Sequence, residues 1–256
     1  MNIYTNNYVK SLKVKNLLEK KLIKEKIKLK NLKIAIGGDG TFLNCVRKNK
    51  YNTKYNYIGI NTGTLGYYQD VSIKDINNFF KELKENKLKT QKIYLQKTIV
   101  YTKKGIINIY SLNEIVIRYK NYKVFKGKVC INNAFLEDYV GDGLIIATPF
   151  GSTGYNKSLG GAIMYDTIRS LQITPLGTIN NNKYISLNNS LIIPSDKFVI
   201  IEPNDSDIII TIDGKNKYIK DVIKVKTFIS NEYIKILRQS NYDFVKKLNN
   251  KFLNYK

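Results

Sequence analysis

The hydrophobic and polar positions follow two different rhythms along the chain. Val14, Leu17, Leu18 and Leu22 recur at helical spacing among lysines, which predicts a helix over residues 7–22. Leu32 to Ile36 is a short apolar run that stops at Gly37-Gly38-Asp39-Gly40, the pattern of a buried strand feeding a glycine turn. Thr41 to Lys48 continues as a helix. Tyr57 to Ile60 reads as a second buried strand, ending in the loop Asn61-Thr62-Gly63-Thr64-Leu65-Gly66. Ile73, Ile76, Phe79, Phe80 and Leu83 give one apolar side to a helix over 72–85.

After residue 90 the rhythm changes. Residues 91–102, 106–119, 122–133, 197–202, 207–213 and 222–229 are short runs rich in Ile, Val and Tyr, separated by turns such as Lys104-Gly105 and Asp213-Gly214. Strands that follow one another without helices indicate antiparallel sheet. The exception is 142–164, where a glycine-rich stretch leads into a helix-compatible segment. Phe244, Val245, Leu248 and Phe252 suggest a short helix in the tail. The expected organisation is an α/β domain over 1–90, a β-rich domain over 91–235 and a helical tail over 236–256.

Composition narrows the chemistry. The 256 residues contain no histidine, which removes Ser-His-Asp and Cys-His catalysis and any His-ligated metal. Two cysteines, Cys45 and Cys130, are too few for a disulfide framework or a four-cysteine zinc site, and suit a reducing cytoplasm. No apolar run approaches the ~18 residues of a membrane span, and the polar start shows no signal peptide. Lys+Arg is 43 against 20 Asp+Glu, a net charge of +23, which raises nucleic acid as a partner. Only Arg47, Arg118, Arg169 and Arg238 are arginines, whereas nucleic-acid readers lean on arginine for bidentate contacts. A composition bias together with anionic small ligands is the preferred reading.

Three blocks carry candidate chemistry. Gly37, Gly38, Gly40 and Thr41 after a buried strand can bring backbone N–H groups to a phosphate. Asp39 among them could accept a proton from an attacking hydroxyl or hold a metal ion. Asn113-Glu114, interrupting the run 106–119, offers directional hydrogen bonds suited to a ribose diol or an adenine edge. Gly141 to Gly161 places Asp142 before a buried strand and then a Pro149 turn rich in small polar residues, with Tyr155 offering a ring and a hydroxyl.

Together these blocks resemble the NAD kinase family, whose hallmarks are Gly-Gly-Asp-Gly, a later Asn-Glu or Asn-Asp pair and Gly-Asp-Gly followed by Thr-Pro-x-Gly-Ser/Thr-Thr-Ala/Gly-Tyr. Here they stand at 37–40, 113–114 and 141–155, and the likeness runs from about Ile34 to Lys235. The first block alone is shared with diacylglycerol-kinase-like enzymes and, more loosely, phosphofructokinases; the third is specific. The resemblance implies a Rossmann-like α/β N-terminal domain and a mostly antiparallel β C-terminal domain with the active site between them. It implies ATP-dependent phosphorylation of the 2′-hydroxyl of the adenosine ribose of NAD, a divalent ion such as magnesium, and a homodimer or homotetramer. Carried over by position, Asp39 is the proton acceptor, with Gly40 against the same ligand. Tyr67 lies near adenine, and Asn113, Glu114 and Asp142 hold NAD. Thr153, Gly154, Tyr155, Asn156, Lys157 and Ser158 line its site, with Gly177 and Asp213 close by. The chain departs from the pattern at Val140, where relatives often have Arg or Lys, and at Thr64, often His or Asn. The alternatives are a lipid kinase sharing the first block and a basic module that binds nucleotide or nucleic acid without turnover.

Overall fold

The computed structural model describes residues 2–26, 30–63, 66–120 and 123–253, so Thr64 and Leu65 of the second glycine loop lie outside the described residues. The chain forms two compact units, Met1–Ile93 with Glu232–Lys256, and Tyr94–Asn231.

The first unit is built on parallel strands. β1 (Ile3–Thr5), β2 (Leu32–Gly37), β3 (Asn56–Asn61) and β4 (Gln69–Ser72) pair in parallel in that order, and Lys235 and Ile236 of β16 (Val222–Arg238) also join β3 in parallel. Helices α1 (Val9–Lys24), α2 (Asp39–Lys48) and α3 (Ile76–Lys84) connect or follow them. β2 is buried along its whole length, as its unbroken apolar run requires of a parallel strand covered on both faces. On α1 the buried positions are Ser11, Val14, Leu18 and Leu22; Leu17 falls on the exposed side. α3 buries Ile76, Phe79 and Phe80.

The tail does not stand apart. β16 extends well past 229, and α5 (Phe244–Phe252) packs within the first unit. The reason is electrostatic as well as apolar. Asp70, 6% exposed in its side chain, pairs with Arg238 at 2.6 Å and with Lys247 of α5, and Phe244 meets the Tyr67 ring edge-on at 6.0 Å. Burial lowers the Lys247 ammonium to about 8, a fall that the neighbouring Asp70 partly offsets.

The second unit is antiparallel. One sheet runs in the order β12 (Leu191–Pro194), β11 (Ser170–Leu176), β10 (Gly143–Ala147), β7 (Glu114–Tyr119), β14 (Ile208–Ile212), β15 (Lys215–Ile219). The other joins the first part of β16 to β13 (Phe198–Pro203), β8 (Phe125–Ile131) and β9 (Ala134–Gly141). β5 (Lys89–Thr102) and β6 (Gly105–Ser111) form a hairpin. Alternate residues Ile115/Ile117, Leu144/Ile146, Leu171/Ile173 and Ile208/Ile210 share a core with Phe125, Tyr139, Val199 and Val225 of the other sheet. Val116, Ile145, Ala147 and Leu176 form a second cluster on the opposite face, which is why β10 is apolar at every position.

Two expectations change here. The run 106–119 is two strands in different sheets, because the chain leaves one ladder and enters the other at Leu112-Asn113. The helix-compatible segment after Pro149 is only a 3-10 turn at Gly151–Thr153 and one turn of helix, α4 (Tyr155–Ser158), ended by Gly160 at φ 81°.

Candidate active site

In the first unit, β2 delivers Gly37-Gly38 to the start of α2. The helix begins two residues before the expected Thr41, so Asp39 and Gly40 lie in its first turn. Extended Gly38 is the N-cap, and its carbonyl accepts from the N–H groups of Thr41 and Phe42. An acidic residue at this end complements the helix dipole. Gly37 has φ 151°, and a Cβ there would sit 2.3 Å from Thr41 Oγ1, so only glycine fits. A Cβ at Gly38 or Gly40, by contrast, meets nothing within 4 Å, leaving room for a phosphate against the backbone.

Asp39 is held from one side. Its Oδ1 accepts the N–H groups of Tyr67 and Tyr68 at 2.7 and 2.9 Å. Its Oδ2 faces the Lys251 ammonium of α5 at 3.4 Å. Tyr67 is 1% exposed and packed against Phe244. The ring therefore packs in the core, and Tyr67 gives the loop its N–H.

In the second unit, three stretches distant in sequence converge. At the crossing between sheets, the Asp213 carboxylate accepts the N–H groups of Leu112 at 3.0 Å and Asn113 at 2.7 Å, with Glu114 N–H at 3.4 Å. Thr148 donates its N–H to the Asn113 carbonyl and its hydroxyl to the Leu112 carbonyl. Asp213, itself in a turn at φ 44°, thus replaces the ladder that the backbone lacks at the crossing. The result presents Glu114, whose Oε2 is buried with no hydrogen-bond partner. Burial first, and the Asp213 charge second, push its carboxyl up to about 8. A buried acid with an unused oxygen is poised to bind a ligand hydroxyl or amide.

Asp142 lies at the other crossing, between β9 and β10, and contacts Gly177, where a Cβ would come within 2.4 Å of its Oδ2. Both line a cavity of about 710 Å³ with Arg118, Lys120, Lys123 and Tyr155. That volume suits a nucleotide-sized ligand. Arg118 donates to the Tyr155 hydroxyl at 2.5 Å. Val140 is buried on β9 and offers no charge, so the cations of this cavity come from β7 and the residues after it. Sequence reading missed them, although Glu114 and Arg118, four apart on one strand, share a face.

The remaining expected residues divide. Gly154, Tyr155, Lys157 and Ser158 are exposed, and the Ser158 hydroxyl donates to the Tyr155 carbonyl. Thr153 is buried with its hydroxyl donating to the Phe150 carbonyl at 3.4 Å. Asn156 is wholly buried, accepting from Thr174 at 2.6 Å and donating towards the carbonyls of Ser152 and Ala162. Its hydrogen bonds tie the loop together.

A glycine loop with one fixed carboxylate, on a parallel α/β unit, and a cationic nucleotide-sized cavity in an antiparallel unit describe a nucleotide-dependent phosphotransferase. Comparison with known proteins makes this particular. Residues 112–237 match the model of the ATP-NAD kinase C-terminal domain. The chain is 36% identical to the NAD kinase of Finegoldia magna over 91% of its length and 90% of that protein, and 32% identical to the NAD kinase of Lactobacillus johnsonii over 97% and 95%. Its fold is similar to that of a yeast NADH kinase complexed with NADH (TM-score 0.83, 17% identity, 99% of this chain and 88% of that one). It is also similar to an NAD kinase from Archaeoglobus fulgidus in complex with ATP (TM-score 0.79, 17% identity, 97% and 98%). The chain belongs to the NAD kinase family.

Proposed function

We propose that the chain transfers the γ-phosphoryl group of ATP to the 2′-hydroxyl of the adenosine ribose of NAD, giving NADP, with Asp39 as proton acceptor. The observation that carries the assignment of Asp39 is its asymmetry. Two backbone N–H groups fix Oδ1, and Oδ2, which faces the Lys251 ammonium, is the oxygen read as taking the proton. In a chain without histidine, a carboxylate is the natural base. The attacking 2′-oxygen bonds to the γ-phosphorus, its proton passes to Oδ2, and the bond to the β-phosphate oxygen breaks to release ADP. Gly37, Gly38, Gly40 and Thr41 supply backbone donors to the donor's phosphates.

Asn113, Glu114, Asp142, Thr153, Gly154, Tyr155, Lys157, Ser158 and Gly177 bind NAD on this reading, while Asp213 and Asn156 hold that surface in shape. Among the described residues no three His, Cys, Asp or Glu side chains gather as a metal cage. Magnesium is characteristically bound by substrate phosphates with few protein ligands, so the ion is read as part of Mg-ATP. The free, buried Cys45 and Cys130 are consistent with work in the cytoplasm, and among the described residues no helix is long and apolar enough to cross a membrane. Exposed Ile168, Ile185, Leu187 and Ile192 in the second unit support self-association as a homodimer or homotetramer.

The test is NADP formation from NAD and Mg-ATP by the purified chain, followed with an NADP-specific dehydrogenase. No NADP under these conditions, with diacylglycerol phosphorylated instead, rejects the reading. Light scattering on the same sample gives the oligomeric state.

A further inference from the structure

The Asp39 oxygen assigned to the proton is paired with a cation. Lys251 Nζ is 3.4 Å from Oδ2 and 5.0 Å from the centroid of the Tyr67 ring. Tyr67 thus locates both partners, by its N–H to Oδ1 and by its ring under the ammonium. The helix that brings Lys251 is firmly seated. Asp243 caps it by accepting from Lys246 N–H at 2.8 Å, Phe244 is buried, and Lys247 is paired with Asp70. Lys251 follows Lys247 by four residues and so lies on the same face, one turn on.

The glycine loop needs such a charge. From Gly37 to Val46 it contains neither lysine nor arginine, so it has no equivalent of the lysine that ends a P-loop. Phosphoryl transfer depends on neutralising charge on the equatorial oxygens. A substrate hydroxyl bonded to Oδ2 at ~2.6–3.2 Å would bring the attacked phosphorus next to the place that the Lys251 ammonium occupies.

We propose that Lys251 is a catalytic cation: paired with Asp39 Oδ2 in the resting enzyme, it turns to hydrogen-bond the transferred phosphoryl group as the 2′-hydroxyl takes its place. This rests on the function proposed above. The lysine takes no part in the proton transfer. The hydroxyl proton goes to Asp39, the new bond is from the 2′-oxygen to phosphorus, and the electron pair of the broken bond leaves with ADP.

The experiment compares wild type, Lys251→Met and Lys251→Arg for kcat, the KM of NAD and the thermal midpoint. Methionine keeps the aliphatic stem on Tyr67 and removes the charge. The expected result is a kcat lower by about 100-fold in Lys251→Met, the scale of losing one transition-state donor, with KM for NAD within about twofold. The melting temperature stays close to wild type, and Lys251→Arg recovers most of the loss. Unchanged or raised kcat in Lys251→Met overturns the proposal, raised kcat marking the pair as an inhibitory cover. No advantage of arginine over methionine also overturns it. An active wild type with an unaffected Lys251→Met sinks this inference alone, whereas a wild type that makes no NADP sinks the underlying function as well.

Discussion

Asp39 and Asp213 are both aspartates followed by glycine, each accepting hydrogen bonds from backbone N–H groups, and they do opposite work. Asp213, 5% exposed, accepts N–H groups from the three residues at a strand crossing. Asp39, more open, commits Oδ1 to the backbone and turns Oδ2 towards the Lys251 ammonium. A carboxylate whose bonds are buried and turned to the backbone is scaffold. One whose backbone bonds fall on a single oxygen is oriented and keeps the other for a side-chain partner, here Lys251. The dipeptide is the same; what differs is the tertiary supply of donors.

This contrast can be broken in order of expected effect. Asp39→Asn keeps an oxygen for the Tyr67 and Tyr68 N–H groups and removes the proton acceptor. NADP formation should fall by at least about 100-fold, and toward 10⁴-fold, with the melting temperature near wild type. Asp213→Ala should do the reverse. It leaves buried N–H groups unpaired at a loss of about 2–3 kcal/mol, visible as a lower denaturant midpoint, and it raises KM for NAD by disturbing Asn113 and Glu114.

Glycine substitutions sharpen the comparison within the first loop. Gly37→Ala forces a Cβ into Thr41 and a strained φ, so it should destabilise by about 1–3 kcal/mol in chemical unfolding. Gly40→Ala meets no protein atom and should leave stability almost untouched while raising KM for ATP, because the methyl group takes the phosphate's room.

A pH-dependent effect concerns Glu114. Its carboxyl holds a proton up to about pH 8 when folded, against an ordinary value near 4.5. The folded chain therefore binds more protons than the unfolded one between these limits, and this group's contribution to stability is lost as pH rises from about 4.5 to 8. Glu114→Gln should flatten that part of the stability–pH curve, measured by thermal melting across the range.

Much of this was legible in sequence because the signals are local. An apolar run before Gly37-Gly38 gives a buried strand and a turn wherever it occurs, and isoleucines without intervening helices give antiparallel sheet. Arg118 and Lys251 were hidden for complementary reasons. Arg118 shares a strand face with Glu114, a signal that was available but lay beside the more conspicuous Asn113-Glu114 pair. Lys251 is one of many lysines in a chain of net charge +23, and nothing local distinguishes it. The break at Leu112-Asn113 was likewise invisible, since its cause, Asp213, lies 100 residues from Asn113.

The sequence alone determined the two folding regimes, the glycine loop with Asp39 as the candidate base, and the family resemblance, since each rests on residues that are neighbours in the chain. The tertiary structure alone decided which oxygen of Asp39 the backbone holds and which backbone donors the Asp213 carboxylate meets. It also turned Tyr67 inward, and brought a lysine from the last helix to the first glycine loop. Those outcomes depend on hydrogen bonds and ion pairs between distant segments, and pairing across such distances leaves no periodic trace in the residues that form it.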